Sequence, residues 1–186
     1  MARSTSIEPP ARRLTDGTVA LRLRRASDLG AIAAASHDPE TRRWLDDEPM
    51  DEEARRTSLA RADEAWRNGR GAPLVIADAV TDEPVGIINL QFRSDDVATV
   101  AYNVFPENRG RGIAPMAVQL LAAWALSDLR VKRLILEASD GNTASIRVAE
   151  KCHFQYVGTR TETPEDGEQQ HTTVVFALEG LNSALG

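Results

Sequence analysis

Three apolar runs separated by two short polar turns constrain the fold of this chain more than any other feature. The runs are APLVIADAV, VGIINLQF and VATVAYNVF, which begin at Ala72, Val85 and Val97, and the turns between them are TDEP and RSDD. Runs of this length that are rich in Val and Ile and bounded by turn residues are typical of β-strands. Because turns this short join antiparallel neighbours, we expect a three-stranded antiparallel meander.

The elements on either side of the meander define the fold class. The strand TVALRLRR and the helices LGAIAAAS, PETRRWL and MDEEARRTSLARADEAWRNGRG precede it; a helix from Ile113, the strand RLILEAS, the helix NTASIRVAEKC and the strands FQYVGTRTE and HTTVVFALE follow it. This order predicts an α+β, or mixed α/β, domain. Residues 1–17 are polar and contain a Pro-Pro pair, so we expect a flexible N-terminal segment followed by a single domain over residues 18–180.

Composition excludes several classes of function. The net charge of -6 argues against nucleic acid or an anionic membrane as the main partner. We find neither a signal peptide nor a run of about 18 apolar residues, so we expect a cytoplasmic protein. Cys152 is the only cysteine, and His37, His153 and His171 show no ligand spacing, so we predict no disulfide and no metal site.

A glycine-rich loop, NRGRGIA, leads from the third strand of the meander into a helix. The first N–H groups of a helix lack internal partners and lie at the positive end of its dipole. Gly110 and Gly112 allow an anion to approach the backbone, and Arg109 and Arg111 add positive charge. An ordinary strand-to-helix turn with solvated arginines is the alternative. The P-loop signature is absent, and Pro115 replaces the third glycine of the dinucleotide signature.

The same loop resembles a known family. The segment from Arg109 to Ala114 is similar to the R/Q-x-x-G-x-G/A signature of the GNAT family of N-acetyltransferases. A downstream segment resembles the RimJ/RimL branch, which acetylates protein N-termini and small amines, at Asn142, Ser145, Lys151 and Phe154. The similarity extends from about Thr18 to Glu179. One departure is His153, which stands where the branch has a glycine that suits a helix C-terminus with positive φ.

The resemblance implies a fold and a cosubstrate. The fold is a mostly antiparallel sheet of about seven strands flanked by four or five helices. This sheet is splayed at a bulge between the strands near Asn103 and near Leu136, where the pantetheine arm of acetyl-CoA enters. The implied acetyl-CoA contacts are Asn103, Val104, Phe105, Arg109, Gly110, Arg111, Gly112, Ile113, Ala114, Asn142 and Ser145. The backbone N–H groups of residues 103–105 are expected to contact the thioester carbonyl.

Direct attack of an amine on acetyl-CoA, which the resemblance implies, requires a base and an acid. Ser145 is expected to protonate the thiolate, although a serine at this position also suits a helix cap. Glu137 is the first candidate base, with a surface carboxylate as the alternative. Tyr102 is a second candidate, as an acid or as a wall of the pocket, or else a buried core tyrosine. Cys152 is expected to be structural rather than a nucleophile.

The acceptor is expected to be a primary amine on a protein N-terminus or on a small molecule. Trp44, Asp46 and Asp47 offer an aromatic face and carboxylates for an ammonium group, or else form a solvated charged surface. Two other functions stay open. One is an acyl-CoA-binding sensor or scaffold without turnover, and the other is an interaction domain that dimerises through its last strand. A homodimer is compatible with each of them.

Overall fold

An eight-stranded sheet forms the centre of the fold. The computed structural model describes residues 6–45, 48–162 and 171–180. The strands are β1 (Leu14–Thr15), β2 (Val19–Arg22), β3 (Gly71–Asp78), β4 (Pro84–Phe92), β5 (Val97–Val104), β6 (Arg133–Ser139), β7 (Gln155–Glu162) and β8 (His171–Glu179). Their order in the sheet is β1-β2-β3-β4-β5-β6-β8-β7. The expected antiparallel meander is confirmed as β3, β4 and β5.

Five α-helices of the described residues pack around this sheet. They are α1 (Leu29–Ser36), α2 (Pro39–Trp44), α3 (Glu52–Arg67), α4 (Ile113–Ser127) and α5 (Thr143–Lys151), with short 3-10 helices at Ala26–Asp28 and Pro106–Asn108. The predicted mixed fold and its helix count are confirmed, with one strand more than the seven expected. The additional strand is the two-residue β1, which pairs with β2. Among the described residues, no helix is long and apolar enough to cross a membrane.

The segment expected to be flexible contains residues that pack on the domain. Ile7 is buried, and its N–H donates to the carbonyl oxygen of Trp66 at 2.9 Å. Trp66 in turn packs against Trp124, with ring centroids 6.1 Å apart. Both tryptophans are buried, as expected for core residues. The described part of the N-terminal segment therefore contributes to the core.

The two faces of the sheet carry separate apolar clusters, as strand alternation requires. The larger cluster joins one face to α4 and α5 and includes Leu74, Ile88, Leu90, Val100, Leu134, Leu136, Val118, Leu121 and Val148. The smaller cluster lies on the opposite face beneath α1 and includes Ile32, Val75, Ala77 and Phe105. Even-numbered residues of β5 and β6 therefore point to α4 and α5, and odd-numbered residues point to the side of α1.

The sheet opens between β5 and β6, as expected. These strands are parallel, and their pairing ends at Val100↔Leu136. Beyond that point β5 stays paired with β4 as far as Val104, and β6 stays paired with β8 as far as Ser139. A V-shaped opening therefore forms between the carboxyl ends of two parallel strands.

The expected bulge at this opening is not present on the β4–β5 ladder. The register is continuous from Gly86↔Val104 to Phe92↔Ala98. The bulge prediction is therefore wrong for this ladder. The opening arises because, beyond Val100 and Leu136, β5 stays paired with β4 while β6 stays paired with β8.

Candidate active site

The glycine loop lies at the carboxyl end of β5, where it begins α4. Gly110 and Gly112 have φ angles of 73° and 74°, a left-handed conformation that favours glycine. Gly112 is the N-cap of α4, and no side chain of the described residues caps the helix. A Cβ atom added at either glycine would meet no atom of residues 6–45, 48–162 or 171–180 within 4 Å. The positive end of α4 therefore faces open space, which is the geometry of an anion site.

The donors at this helix end are few and well defined. The N–H groups of Ile113 and Ala114 lie in the first turn and have no acceptor within the helix. Pro115 has no N–H, and Met116 N–H already donates to Gly112 O at 3.4 Å. Arg111 is exposed, and its guanidinium donates to Asn108 Oδ1 at 3.0 Å. An anion at α4 would therefore be bound mainly by the backbone of residues 112–114.

Arg109 has different neighbours from Arg111. Its guanidinium donates to Glu40 Oε2, Asp38 Oδ2 and Thr41 Oγ1, each at 2.8 Å, and Arg109 Nε donates to Val104 O at 3.2 Å. From the sequence, Arg109 is expected among the acetyl-CoA contacts. In the structure, its side chain connects the glycine loop to the first turn of α2.

The pairing of β4 with β5 decides which backbone N–H groups face the opening. Phe105 N–H donates to Val85 O at 2.9 Å. Because residues along an antiparallel pair alternate between bonded and non-bonded positions, Asn103 N–H also points to β4, whereas Val104 N–H points into the opening. Phe105 N–H is thus already bonded and Asn103 N–H faces β4, so of the three N–H groups expected to contact a thioester carbonyl, that of Val104 is oriented toward the opening.

Tyr102 and Ser145 meet on the α4–α5 side of the opening. Tyr102 Oη lies 2.9 Å from Ser145 Oγ. Asn142 is the N-cap of α5 and accepts from Ser145 N–H at 3.0 Å through Oδ1. Capping is therefore performed by Asn142, and the Ser145 hydroxyl bonds to Tyr102. Burial raises the pKa of Tyr102 to about 12, so the phenol stays protonated near neutral pH.

Glu137 lies on the opposite side of the opening from Tyr102. It follows Leu136, the last residue of β6 that pairs with β5, and its side chain is 25% exposed. Arg160 donates to Glu137 Oε1 at 3.1 Å, and an Arg93 nitrogen lies 4.0 Å from Oε2. The carboxylate is thus held at the start of the opening, on the side of the sheet that carries α1.

Trp44, a predicted acceptor residue, lies at the mouth of the opening. A Cβ atom added at Gly141 would be 3.5 Å from the Trp44 ring, so the indole packs on the loop between β6 and α5. The Arg43 guanidinium lies 4.6 Å from the ring centroid, over one face of the indole. An acceptor ammonium would have to share this ring with Arg43. Asp46 and Asp47, predicted to act with Trp44, lie outside the described residues.

Cys152 and His153 directly follow α5, with Cys152 as the C-cap. Cys152 is buried, its thiol donates to Pro115 O at 3.4 Å, and burial raises its pKa to about 11. A neutral, enclosed thiol is a poor nucleophile, in agreement with the structural role that we expected. His153 has a φ of 64°, which is the left-handed conformation that the departure from glycine predicted.

Two residues that connect the site to α2, Asp38 and Thr41, were not predicted from the sequence. Asp38 is the N-cap of α2, where it accepts from Thr41 N–H at 2.8 Å, and it also accepts from Arg109. Thr41 is buried, and its Oγ1 lies 3.5 Å from Asn103 Oδ1. The Asp38-Pro39 pair signals a helix start in the sequence. No local pattern, however, indicates that this helix start lies against the glycine loop.

Comparisons with known proteins agree with this geometry. Residues 19–155 match the family described as acetyltransferase (GNAT) domain. An N-acetyltransferase 9-like protein of Caenorhabditis elegans is 34% identical over 76 residues, which are 39% of this chain and 38% of that protein. The match therefore spans less than half of that relative.

Two solved structures share the fold over nearly the whole chain. RimL, a ribosomal alpha-N-protein acetyltransferase in complex with coenzyme A, has a TM-score of 0.79 at 18% identity, covering 91% of this chain and 98% of that chain. Spermidine N-acetyltransferase from Vibrio cholerae, in complex with CoA and spermine, has a TM-score of 0.75 at 16% identity, covering 88% and 96%. At these identities the likeness concerns the fold.

Proposed function

This chain belongs to the GNAT family of acetyltransferases, and from that premise we propose that it transfers the acetyl group of acetyl-CoA to a primary amine. One observation carries the proposal. The uncapped N-terminus of α4, with Gly110 and Gly112 in the left-handed conformation, lies beside the opening that contains Tyr102 and Ser145. An anion site and a pair of hydroxyl groups therefore flank one cleft.

The residues around α4 fit the phosphate end of acetyl-CoA. The backbone N–H groups of Gly112, Ile113 and Ala114 offer donors at the positive end of a helix, and the space over the glycines is open. Arg111 is exposed beside them and adds a positive charge. We assign the pyrophosphate to these groups, and the pantetheine arm to the opening between β5 and β6.

The reaction forms a C–N bond to the acetyl group and breaks the C–S bond of the thioester that acetyl-CoA supplies. Val104 N–H donates to the carbonyl oxygen, where negative charge develops. Ser145 donates its hydroxyl proton to the leaving sulfur and regains a proton from water. Tyr102, whose phenol stays protonated, donates a hydrogen bond to Ser145 Oγ and stabilises the charge that develops there. Glu137 accepts the proton that the amine must lose, on the opposite side of the sheet.

The acceptor class is a primary amine of a protein N-terminus or of a small molecule. RimL, an alpha-N-protein acetyltransferase, and the spermidine N-acetyltransferase represent these two classes, and both proteins share the fold of this chain. Trp44 at the mouth of the opening is our candidate contact for either kind of acceptor, since its indole packs beside the N-terminus of α5. Asp46 and Asp47 follow it in sequence, and we retain them as candidates for the ammonium group.

A thiol-release assay tests the function. Acetyl-CoA is mixed with the protein and a panel of N-terminal peptides, polyamines, aminoglycosides and amino acids, with acceptor-free reactions as the control and mass spectrometry of each product. We expect thiol release together with an acetylated amine for at least one acceptor class. Calorimetric binding of acetyl-CoA without turnover on the whole panel would favour the sensor function instead, and absence of binding would contradict both.

A further inference from the structure

We propose that Arg109 is a positioning residue that docks α2 onto the acetyl-CoA loop, so that it serves acceptor binding rather than binding the pyrophosphate. This inference rests on the proposed function for its meaning in catalysis, because it assigns acceptor binding to the side of the opening that α2 covers. Its structural part, the docking of α2, depends only on the contacts of Arg109.

The contacts of Arg109 are directed at α2. Three of its hydrogen bonds reach Asp38, Glu40 and Thr41, and the fourth reaches Val104 O on β5. The two carboxylates bring two negative charges against one guanidinium, whose side chain is 28% exposed. Because the positive charge is already offset at 2.8 Å on both sides, Arg109 adds little attraction for a further anion.

The pKa of Asp38 is consistent with this arrangement. The N–H of Thr41, and after it the guanidinium of Arg109, hold the pKa of the Asp38 carboxyl below its usual range. Asp38 is therefore ionised at neutral pH and acts both as the cap of α2 and as a partner of Arg109.

α2 depends on this docking because, within the part of the chain that the structure describes, it buries little apolar surface. The helix has six residues, which is too short to be stable alone in water. Thr41 is its one buried residue, and the Thr41 hydroxyl is itself a partner of Arg109. The position of α2 therefore depends on the polar contacts of Arg109 together with the packing of Trp44 on Gly141.

The position of α2 matters because the helix crosses the mouth of the opening. In its first turn, Thr41 Oγ1 lies 3.5 Å from Oδ1 of Asn103 on β5. At the C-terminal end of the helix, Trp44 packs on Gly141, between β6 and α5. An amine that approaches the opening from this side must pass α2, so a helix that loses its anchor would no longer present Trp44 to the acceptor.

Hydrogen exchange on the free protein tests the docking. The amides of Arg42 and Leu45 report on α2, since they donate to Asp38 O and Thr41 O at 3.0 and 2.9 Å. We expect Arg109→Gln to accelerate their exchange by about tenfold or more. The double variant Asp38→Asn with Glu40→Gln should do the same, because asparagine retains the cap and only the ion pairs are lost. Arg111→Gln is the matched control and should leave both amides unchanged.

Binding and kinetics separate the proposed role from phosphate binding. With Arg109→Gln we expect the KM for the acceptor to rise at least about fivefold, and the Kd of acetyl-CoA to change less than about threefold. Arg109→Lys should recover part of the loss. The double variant, in which Arg109 is retained, should reproduce the rise in acceptor KM.

Two results would overturn the proposal. One is a Kd for acetyl-CoA that rises more than about tenfold in Arg109→Gln while the exchange of the Arg42 and Leu45 amides is unchanged. Arg109 would then be a phosphate ligand. The other is unchanged exchange in both the Arg109 and the double variant. If wild-type protein fails to bind acetyl-CoA, the proposed function fails, while the exchange data still decide the docking. If Arg109→Gln does not fold, the double variant provides the same test.

Discussion

The hydroxyl of Tyr102 lies 2.9 Å from the hydroxyl of Ser145, and this hydrogen bond connects β5 to α5 across the opening in the sheet. Tyr102 comes from the part of β5 that has lost its pairing with β6, and Ser145 comes from the first turn of the helix that follows β6. The protonated phenol of Tyr102 is thus hydrogen-bonded to the hydroxyl of Ser145, which we assign as the acid.

The Tyr102–Ser145 pair should act as one unit in catalysis. We expect Ser145→Ala to lower kcat by about a hundredfold and Tyr102→Phe by about tenfold, while the KM for acetyl-CoA changes little. Because Tyr102 acts through Ser145, the double variant should be no slower than Ser145→Ala alone. Steady-state kinetics of the four proteins provide the cycle.

The matched control for this cycle is Thr143→Ala, which removes an exposed hydroxyl from the same turn of α5. It should leave kcat within about twofold of wild type. If Ser145→Ala also stays within about twofold, Ser145 is not the acid, and additive effects of the two substitutions would show that Tyr102 acts independently.

Glu137→Gln should lower kcat by about a hundredfold if the carboxylate removes the proton of the amine. Arg160→Gln separates this role from the ion pair, because it removes the partner at 3.1 Å and leaves the carboxylate in place. We therefore expect a much smaller loss, less than about fivefold, in Arg160→Gln. Equal losses in the two variants would mean that the ion pair, rather than proton transfer, accounts for the effect.

The strands of the sheet could be predicted from the sequence better than the contacts between residues that are far apart in the chain. Alternating or continuous apolar runs bounded by turn residues determine β3, β4, β5 and β6, because strand formation there depends on local pattern. The two-residue β1 is too short to show any period, so its pairing with β2 could not be predicted.

The same distinction applies to the site. Tyr102 and Ser145 were each identified, but they are 43 residues apart, so their hydrogen bond depends on tertiary packing. Arg109 stands beside two glycines in the sequence, which favours an anion site, while its partner Asp38 lies 71 residues away. A loop motif indicates which groups are adjacent along the chain, and it contains no information on what packs against them.

Alkaline pH should destabilise the protein through Cys152. Its folded pKa of about 11 is above the ordinary thiol value of about 8.5, so the folded state holds its proton more tightly than the unfolded state. The stability that this pKa difference contributes is fully present below the ordinary thiol pKa, and it is lost as the pH rises toward the folded-state pKa. Urea unfolding at about pH 8 and about pH 10.5 should show a falling free energy of unfolding.

Cys152→Ala is the control for this pH dependence and should fall less over the same interval. Tyr102 adds to the decline in both proteins at the upper end, since its folded pKa of about 12 also exceeds its ordinary value. Equal slopes for wild type and Cys152→Ala, or rapid modification of the native thiol near neutral pH, would contradict the enclosed, neutral Cys152.

His153→Gly should stabilise the protein by about 0.5–1 kcal/mol. His153 follows the C-cap of α5 with φ 64°; its N–H donates to Glu150 O, and Phe154 N–H donates to Ala149 O, each at 3.0 Å. This is the Schellman arrangement, in which glycine is the favoured residue. Thermal or urea unfolding provides the measurement.

The matched control is Glu150→Gly, which introduces glycine within the helix three residues earlier and should destabilise the protein by about 1 kcal/mol. A decrease in stability for His153→Gly of similar size would show that the left-handed conformation of His153 is not strained.

The central claim is that the glycine loop at α4 binds the pyrophosphate of acetyl-CoA, and calorimetric titration of acetyl-CoA into Gly112→Trp tests it most directly. Gly17→Trp is the control, because Gly17 also has positive φ and open space around its Cβ position, but lies on the turn between β1 and β2. We predict that Gly112→Trp weakens binding by at least about a hundredfold and that Gly17→Trp binds as wild type does. Wild-type affinity in Gly112→Trp would contradict the account.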